Sequence, residues 1–186
     1  MRYYDTFESP QGRILLVATE AGVCGVYFIG QKHFPEKEKA WRRDPNHAPL
    51  KQAKRELQEY FSGKRKRFAV ALAPEGTPFQ RSVWKAIATV RFGAAISYGE
   101  LARRAGHPGS ARAVGAATGR NPITIIVPCH RIIGSNGSLT GYAGGLDRKR
   151  SLLALEGLGV DLLSATIQRP LNSGLRFSRN AATPSR

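Results

Sequence analysis

Acidic residues are scarce in this chain of 186 residues, because 13 Asp and Glu stand against 29 Lys and Arg. The resulting formal charge is +16. A fold does not need such an excess, whereas a polyanionic partner such as nucleic acid binds to it. A basic protein without such a partner remains the alternative from composition alone. A membrane surface is the other anionic candidate, but the sequence shows no long basic amphipathic helix that would lie on one.

Long apolar runs are also missing. None approaches the roughly 18 residues of a membrane-spanning helix, and the first residues lack the apolar segment of a signal peptide. Cysteine is nearly absent: Cys24 and Cys129 are far apart and give neither a metal-site spacing nor a disulfide framework. We therefore expect no membrane span, no metal, and a reducing, cytoplasmic location.

Residues 1–75 are predicted to form a small α/β domain with an antiparallel sheet. Residues 12–18 and 22–29 have the composition of two strands joined by a hairpin. Residues 31–50 are predicted as a surface loop, residues 50–61 as an amphipathic helix and residues 68–73 as a third strand. Cys24 is expected to be a core residue, since no base or cation stands beside it in the sequence. The four charges of residues 64–67 are typical of a solvated turn, with phosphate contact as the alternative.

A linker at residues 73–78 separates this unit from residues 76–165, which are predicted to form a mostly helical domain. Helices are expected at residues 79–90, 98–105, 110–118 and 146–155. Ser97 and Glu100 have the spacing of a capping box. Two short helices around the turn at residues 106–109 predict a helix-turn-helix, in which Arg112 lies near the end that normally enters a DNA groove. Residues 166–186 are predicted to be a disordered basic tail.

The stretch around Cys129 carries the chemistry. The β-branched run at residues 123–127 predicts a buried strand, which Pro128 would end because it has no N–H to donate. Cys129, His130 and Arg131 then follow as a thiol, a base and a fixed cation. A thiol reacts as its thiolate, and a neighbouring imidazole and guanidinium both favour that anion. The alternative is an inert buried cysteine at a strand end.

The residues Asn121-Pro122 followed by Pro128-Cys-His-Arg131 resemble the active-site signature of the O6-alkylguanine-DNA alkyltransferases. The similarity extends from about residue 79 to about residue 157 and is weaker over the first 70 residues. It implies an α+β fold and DNA repair by a single, irreversible transfer of the alkyl group from O6-alkylguanine to Cys129 after base flipping. It further implies no cofactor and a monomer that binds double-stranded DNA mostly through phosphates. Activity on O4-alkylthymine stays open.

The resemblance also implies the roles of the catalytic residues. Cys129 would accept the alkyl group, and His130 would withdraw the thiol proton through a water molecule. Glu156 would orient that histidine, Tyr98 would donate a proton towards the departing purine, and Asn121 would brace the helix-turn-helix against the active-site strand.

Further residues are assigned to DNA and to the base pocket by the same resemblance. Arg112 would enter the base stack, and the other DNA-binding residues would be Ser110, Ala111, Ala113, Gly115 and Tyr98. The pocket would be lined by Tyr142, Ala143, Thr118 and Ile132. Ala143 stands where some relatives have serine, so a side-chain hydroxyl is missing there.

Three other functions fit parts of the sequence. A non-reactive lesion sensor would carry tryptophan in place of Cys129. A transcription-activating alkyltransferase would need a cysteine-rich zinc module, which two cysteines cannot supply. A cysteine hydrolase would turn over many times, whereas an alkyltransferase reacts once.

Overall fold

The computed structural model describes residues 1–36 and 40–159. The predicted tail at residues 166–186 lies outside the described residues. The chain begins with a four-stranded sheet in the order β3-β2-β1-β4. The strands are β1 (Tyr3–Ser9), β2 (Gly12–Thr19), β3 (Gly22–Phe28) and β4 (Arg42–Arg43). β1 and β3 pair with β2 in antiparallel fashion, and β4 runs parallel to β1.

Both faces of β2 are buried, which explains its continuous apolar run. Ile14 and Leu16 point into the main core, while Leu15 and Val17 belong to a smaller cluster on the opposite face. Successive side chains of a strand point to opposite faces, so a run without polar positions requires cover on both. Helix α1 (Ala48–Phe61) covers one face, and Trp41 belongs to the cluster on the other.

The predicted hairpin and helix of this half are confirmed, but other predictions were wrong. Residues 68–73 form no strand; Leu72 makes only an isolated parallel bridge to Val23. Glu56 explains the irregularity, because its carboxylate accepts the backbone N–H groups of Ala69 and Val70 that a strand ladder would use. β1 was not predicted, and the predicted loop at residues 31–50 contains β4 and the start of α1.

The second half contains the predicted helices. They are α2 (Pro78–Ala88), α3 (Tyr98–Arg104), α4 (Ala111–Gly119) and α5 (Leu146–Leu155). Thr77 and Gln80 form a full capping box at α2, and Ser97 caps α3 by accepting the Glu100 N–H. The Glu100 side chain does not complete the predicted box and instead pairs with Arg103 and Arg104. Short parallel strands β5 (Ile96–Ser97) and β6 (Ile132–Ile133) pair alongside these helices.

One hydrophobic core joins the two halves. It includes Leu16 of β2, Leu57 of α1, Ile87 of α2 and Val114 of α4. The α+β class is therefore as predicted, with the antiparallel sheet first and the helices after it. The position of the domain boundary at residues 75–76 stays a prediction. None of the helices in the described ranges combines the length and hydropathy of a membrane span.

The strand predicted at residues 123–127 does not form. Ile123 forms a single parallel bridge to Val26, and the chain then turns tightly, with the Val127 N–H donating to Ile123 O at 2.9 Å. Ile125 has φ of +73°, a left-handed conformation that is rare for a β-branched residue. Apolar β-branched composition predicted burial correctly and backbone conformation wrongly.

Candidate active site

Asn121 organises the turn that carries the thiol. Its Oδ1 accepts the Ile123 N–H at 3.0 Å, and its Nδ2 donates to Val127 O at 2.8 Å and to Cys129 Sγ at 3.1 Å. Asn121 directly follows α4, and its own N–H donates to Thr118 O. The Asn121 backbone therefore contacts the second helix of the helix-turn-helix, and its buried side chain contacts the turn and the sulfur atom. The bracing role stays a prediction.

Cys129 begins a single turn of 3-10 helix over residues 129–131. The side chain is 5% exposed and the thiol is free. Burial raises the pKa of Cys129, while the hydrogen bond from Asn121, the charge of Lys149 and the N–H groups of Cys129 and His130 oppose that rise. The resting thiol is therefore protonated, and its surroundings favour the anion once the proton leaves.

His130 and Glu156 form a buried pair. His130 Nε2 lies 2.8 Å from Glu156 Oε1, and both side chains are fully buried. Because an ionised carboxylate only accepts hydrogen bonds, Nε2 carries the proton and Nδ1 is the free basic nitrogen. Nδ1 is buried and makes no hydrogen bond within the described part of the chain. Burial lowers the pKa of His130, against the opposing effect of Glu156, so the ring is neutral and able to accept a proton.

Glu156 is held ionised by several donors. Arg131 donates to both carboxylate oxygens, each at 2.8 Å, and Tyr60 Oη donates to Oε1 at 2.8 Å. The Gly93 N–H donates to Oε2 at 3.2 Å. Burial alone would raise the pKa of Glu156, but the hydrogen bonds from His130 and Arg131 outweigh it and lower the pKa to about 2.

The cation that favours the thiolate is Lys149 rather than Arg131. The Arg131 guanidinium is engaged by Glu156 and by Val90 O, which corrects the role inferred from its place in the sequence. Lys149 is fully buried and donates to Ile132 O at 2.5 Å and to Thr140 O at 2.6 Å. Burial lowers the pKa of Lys149 to about 8, with the charge of Cys129 acting in the opposite direction.

Two phenols lie near the thiol. Tyr98 Oη donates to Gly141 O at 3.2 Å and lies 3.3 Å from Thr140 O, on the glycine-rich loop predicted at residues 139–145. The Tyr142 hydroxyl of that loop is buried without a hydrogen-bond partner in the described residues. Burial raises the pKa of both tyrosines, and the negative charge of Cys129 raises it further. Both phenols therefore stay protonated close to the sulfur.

The other predicted pocket residues are placed as follows. Ala143 is half-buried on the loop, and its carbonyl accepts the Lys32 N–H at 3.0 Å. The Thr118 hydroxyl donates to Val114 O at 2.8 Å, within its own helix. Ile132 is fully buried in β6. Their contacts with a flipped base stay predictions.

The predicted DNA-binding residues lie together along α4. Arg112 and Ala113 are exposed, and Ser110, Ala111 and Gly115 are half-buried. A Cβ on Gly115 would lie 3.6 Å from the Tyr98 ring, so this helix passes directly beside the phenol at the start of α3. The helix-turn-helix therefore adjoins the loop and the thiol on one side of the molecule.

Sequence reasoning missed Lys149 and Tyr60. Lys149 lies in the helix predicted at residues 146–155, and its helical spacing to Leu152, Leu153 and Glu156 places it on the buried face. Tyr60 lies in the amphipathic helix predicted at residues 50–61, and a buried phenol needs a hydrogen-bond partner. Its partner, Glu156, is 96 residues away, and no local pattern could identify it.

The combined arrangement suits nucleophilic chemistry at sulfur. A buried thiol lies among an amide donor, a neutral base with an ionised carboxylate behind it, and an ammonium group. No cluster of three or more His, Cys, Asp or Glu side chains within residues 1–36 and 40–159 has the arrangement of a metal site. Fold and site together define a helix-turn-helix protein with a buried cysteine that is placed for nucleophilic chemistry.

The chain belongs to the 6-O-methylguanine DNA methyltransferase family. Residues 78–158 match the model of its DNA binding domain, and residues 2–74 match the model of its ribonuclease-like domain. The family predicted from the Cys129 signature is thereby confirmed.

Individual relatives agree with this assignment. The methylated-DNA–protein-cysteine methyltransferase of Methanosarcina acetivorans is 52% identical over 155 residues, covering 83% of this chain and 98% of the relative. The protein of the same name from Mycobacterium bovis is 46% identical over 156 residues, covering 84% and 93%. The crystal structure of Mycobacterium tuberculosis OGT in complex with DNA is similar with a TM-score of 0.78 and 44% identity, covering 87% of this chain and 98% of that chain.

Proposed function

We propose that this chain repairs DNA by transferring the alkyl group of O6-alkylguanine to Cys129, once and irreversibly. The observation that carries the proposal is the buried Cys129 thiol, whose sulfur accepts a hydrogen bond from Asn121 Nδ2. Next to it in the chain, His130 pairs with Glu156 through Nε2, which leaves His130 Nδ1 free as a base. The relatives named methylated-DNA–protein-cysteine methyltransferase and the DNA complex of the mycobacterial structure support the same reaction class.

The reaction is a single displacement. The Cys129 proton passes to His130 Nδ1 through a water molecule, and Glu156 stabilises the imidazolium that forms. The thiolate attacks the alkyl carbon, a C–S bond forms, and the C–O bond breaks with its electron pair going to guanine O6. Tyr98 donates a proton towards the purine as it leaves. The thioether is stable, so each molecule reacts once.

The thiol is only 5% exposed, so the damaged nucleotide has to leave the stack and reach it. Flipping costs a few kcal/mol, which Arg112 offsets by occupying the gap in the duplex. The Tyr98 hydroxyl exchanges its loop carbonyls for the purine, and Tyr142 lines the pocket. Residues 139–145 must move to admit the base, because Tyr98 and Lys149 both hold this loop.

The partner is double-stranded DNA, and the protein acts as a monomer in the cytoplasm. The charge of +16 and the small residues of α4 favour binding through phosphates with little sequence preference. We therefore expect duplex affinity to fall by several powers of ten between about 50 and 200 mM salt, measured by fluorescence anisotropy. Affinity that is independent of salt would contradict binding through phosphates.

The decisive experiment is the intact mass of the protein after incubation with an oligonucleotide containing one O6-methylguanine. The native chain should gain one methyl group, mapped to Cys129, with one product per protein molecule. Cys129→Ser should gain none, and Cys24→Ser, the matched control in the same chain, should gain as much as the native protein.

Other outcomes identify the competing functions. Tight lesion binding without a mass gain would indicate a sensor that retains a cysteine. Repaired oligonucleotide formed in molar excess over the protein, with no lasting modification of the protein, would indicate a hydrolase.

A further inference from the structure

A second concave surface lies next to the catalytic turn and contains none of the residues assigned to DNA or to the base pocket. This basic groove has a volume of about 650 Å³. Its cations include Lys66, Arg67 and Arg91, and its apolar lining includes Leu72, Val90 and Ile126. It is formed by the segment after α1, the end of α2 and the turn before Cys129.

The three surface cations of the basic groove lack carboxylate partners. Lys66, Arg67 and Arg91 are exposed, and none forms an ion pair within the described parts of the chain. The adjacent Arg65, by contrast, pairs with Glu59 at 2.7 Å. No Asp or Glu is among the residues that line the groove. The groove therefore presents uncompensated positive charge, which an anionic partner would neutralise.

The apolar lining decides the kind of anion. Leu72 is 37% exposed, and Val90 and Ile126 lie at the surface of the core, so these parts of the floor are aliphatic. Phe68 and Phe92 also line the groove, and both rings pack against Tyr60, at 5.5 and 6.2 Å between centroids. Single-stranded nucleic acid binds through bases stacked on open aromatic faces. The Phe92 ring is flanked by Lys66 Nζ at 5.6 Å and by the Arg131 guanidinium at 5.9 Å. Aliphatic contacts below a cationic rim suit a peptide with carboxylates and an apolar side chain.

We propose that the basic groove is a docking site for an acidic peptide segment of a partner protein, with an apolar side chain seated against Leu72. Pro128 and Arg131 line the groove and flank Cys129 and His130 in the chain. A bound peptide therefore lies beside the catalytic turn.

The test uses fluorescence polarisation of a labelled peptide with four acidic residues followed by leucine and phenylalanine. The full-length protein should bind it, and Arg91→Glu should weaken binding at least tenfold. Lys51→Glu, which makes the same charge change at an exposed position of α1, should leave the affinity within about twofold. Equal weakening by both variants would overturn the proposal, because it would show attraction to net charge alone.

A second pair of variants tests the apolar contact. Leu72→Ser should weaken binding of the peptide at least fivefold, while Ile29→Ser, at a position 44% exposed, should leave the affinity unchanged. Both residues are at the surface, and circular dichroism checks that both variants fold. Equal affinity for a peptide with alanine in both apolar positions would contradict the proposal. Displacement of the peptide by duplex DNA, or tighter binding of a single-stranded oligonucleotide, would assign the groove to nucleic acid instead.

Discussion

The two cysteines of this chain are buried to nearly the same degree, at 8% exposure for Cys24 and 5% for Cys129, and both are free thiols. Burial raises the pKa of both. They differ in their neighbours. The charges that act on Cys24 are Arg2 and Glu75, which pair with each other at 2.7 Å and oppose each other in effect. Cys129 has an amide donor, an ammonium and a basic histidine nearby.

The backbone also differs between the two regions. Cys24 lies within β3 at an irregularity of the pairing with β2, between the pairs Ala18–Val23 and Val17–Gly25. Cys129 lies on a tight turn whose entry contains Ile125 in the left-handed region, at a cost of about 1–3 kcal/mol. Asn121 holds that turn. The two thiols therefore share their burial and differ in the polar groups around them, and we expect Cys129 to be the more reactive of the two.

Replacement of Asn121 should reduce the difference in reactivity between Cys129 and Cys24 more than any other change. Asn121→Asp removes the donor to Cys129 Sγ and puts a carboxylate beside it, so the thiol pKa rises and methyl transfer slows by about a thousandfold. Single-turnover kinetics with an O6-methylguanine duplex measures this. The reactivity of Cys24 towards iodoacetamide serves as the internal control and should not change. A transfer rate within tenfold of the native protein would contradict the role of Asn121.

Loss of the Glu156 charge should have the next largest effect. Glu156→Gln leaves the buried Arg131 without its counter-charge and costs about 3 kcal/mol of unfolding free energy at neutral pH. Because the pKa of Glu156 in the folded state, about 2, lies below its ordinary value of 4.5, its stabilisation is complete above pH 4.5 and is lost as the pH falls towards 2. The difference between native protein and variant should therefore shrink over this window in urea titrations.

Tyr60→Phe gives a graded control for that experiment, because it removes one neutral donor to Glu156 and leaves the charge. Its cost should be about 1.5 kcal/mol. Tyr27→Phe, at a half-buried tyrosine outside the site, should not alter the acid dependence. An identical pH profile for the native protein and Glu156→Gln would show that Glu156 does not contribute its charge to stability.

The smallest effect is expected for Lys149. Lys149→Met removes the ammonium that favours the Cys129 thiolate, so alkylation of Cys129 by iodoacetamide should slow by about tenfold at pH 7. Since the pKa of Lys149 is about 8, the difference should narrow above that pH as native Lys149 becomes neutral. The rate at Cys24 stays constant in the same digest. Arg150→Met, one residue further along α5, is the matched control, and an equal effect there would rule out a specific role for Lys149.

Much of the fold followed from local patterns. The apolar spacings of α1 and α2 predicted those helices, Ser97 marked the start of α3, and the small residues after the turn at residues 106–109 indicated α4. The segment at residues 123–127 was predicted wrongly because its conformation depends on hydrogen bonds to the Asn121 side chain, not on β propensity. The strand prediction for residues 68–73 was wrong for a similar reason, since the Glu56 carboxylate accepts the N–H groups of Ala69 and Val70.

The site was predicted unevenly for a physical reason. Cys129, His130 and Asn121 are close in sequence, so a local motif indicates them together. The support of Glu156 by Tyr60, and of the loop at residues 139–145 by Lys149, comes from side chains that meet only through tertiary packing. A sequence motif identifies reacting groups more readily than the groups that set their charge.

The burial of Cys129 has a consequence for the lifetime of the protein in a cell. Under the proposed function, a molecule whose sulfur reacts first with an oxidant or a stray electrophile is lost to repair. Oxidation and alkylation follow thiolate character and exposure, and the resting Cys129 has little of either. Tyr98 and Lys149 keep the neighbouring loop in place, so small reagents should consume the protein slowly. Burial of the thiol thereby preserves the molecule for the proposed reaction with damaged DNA.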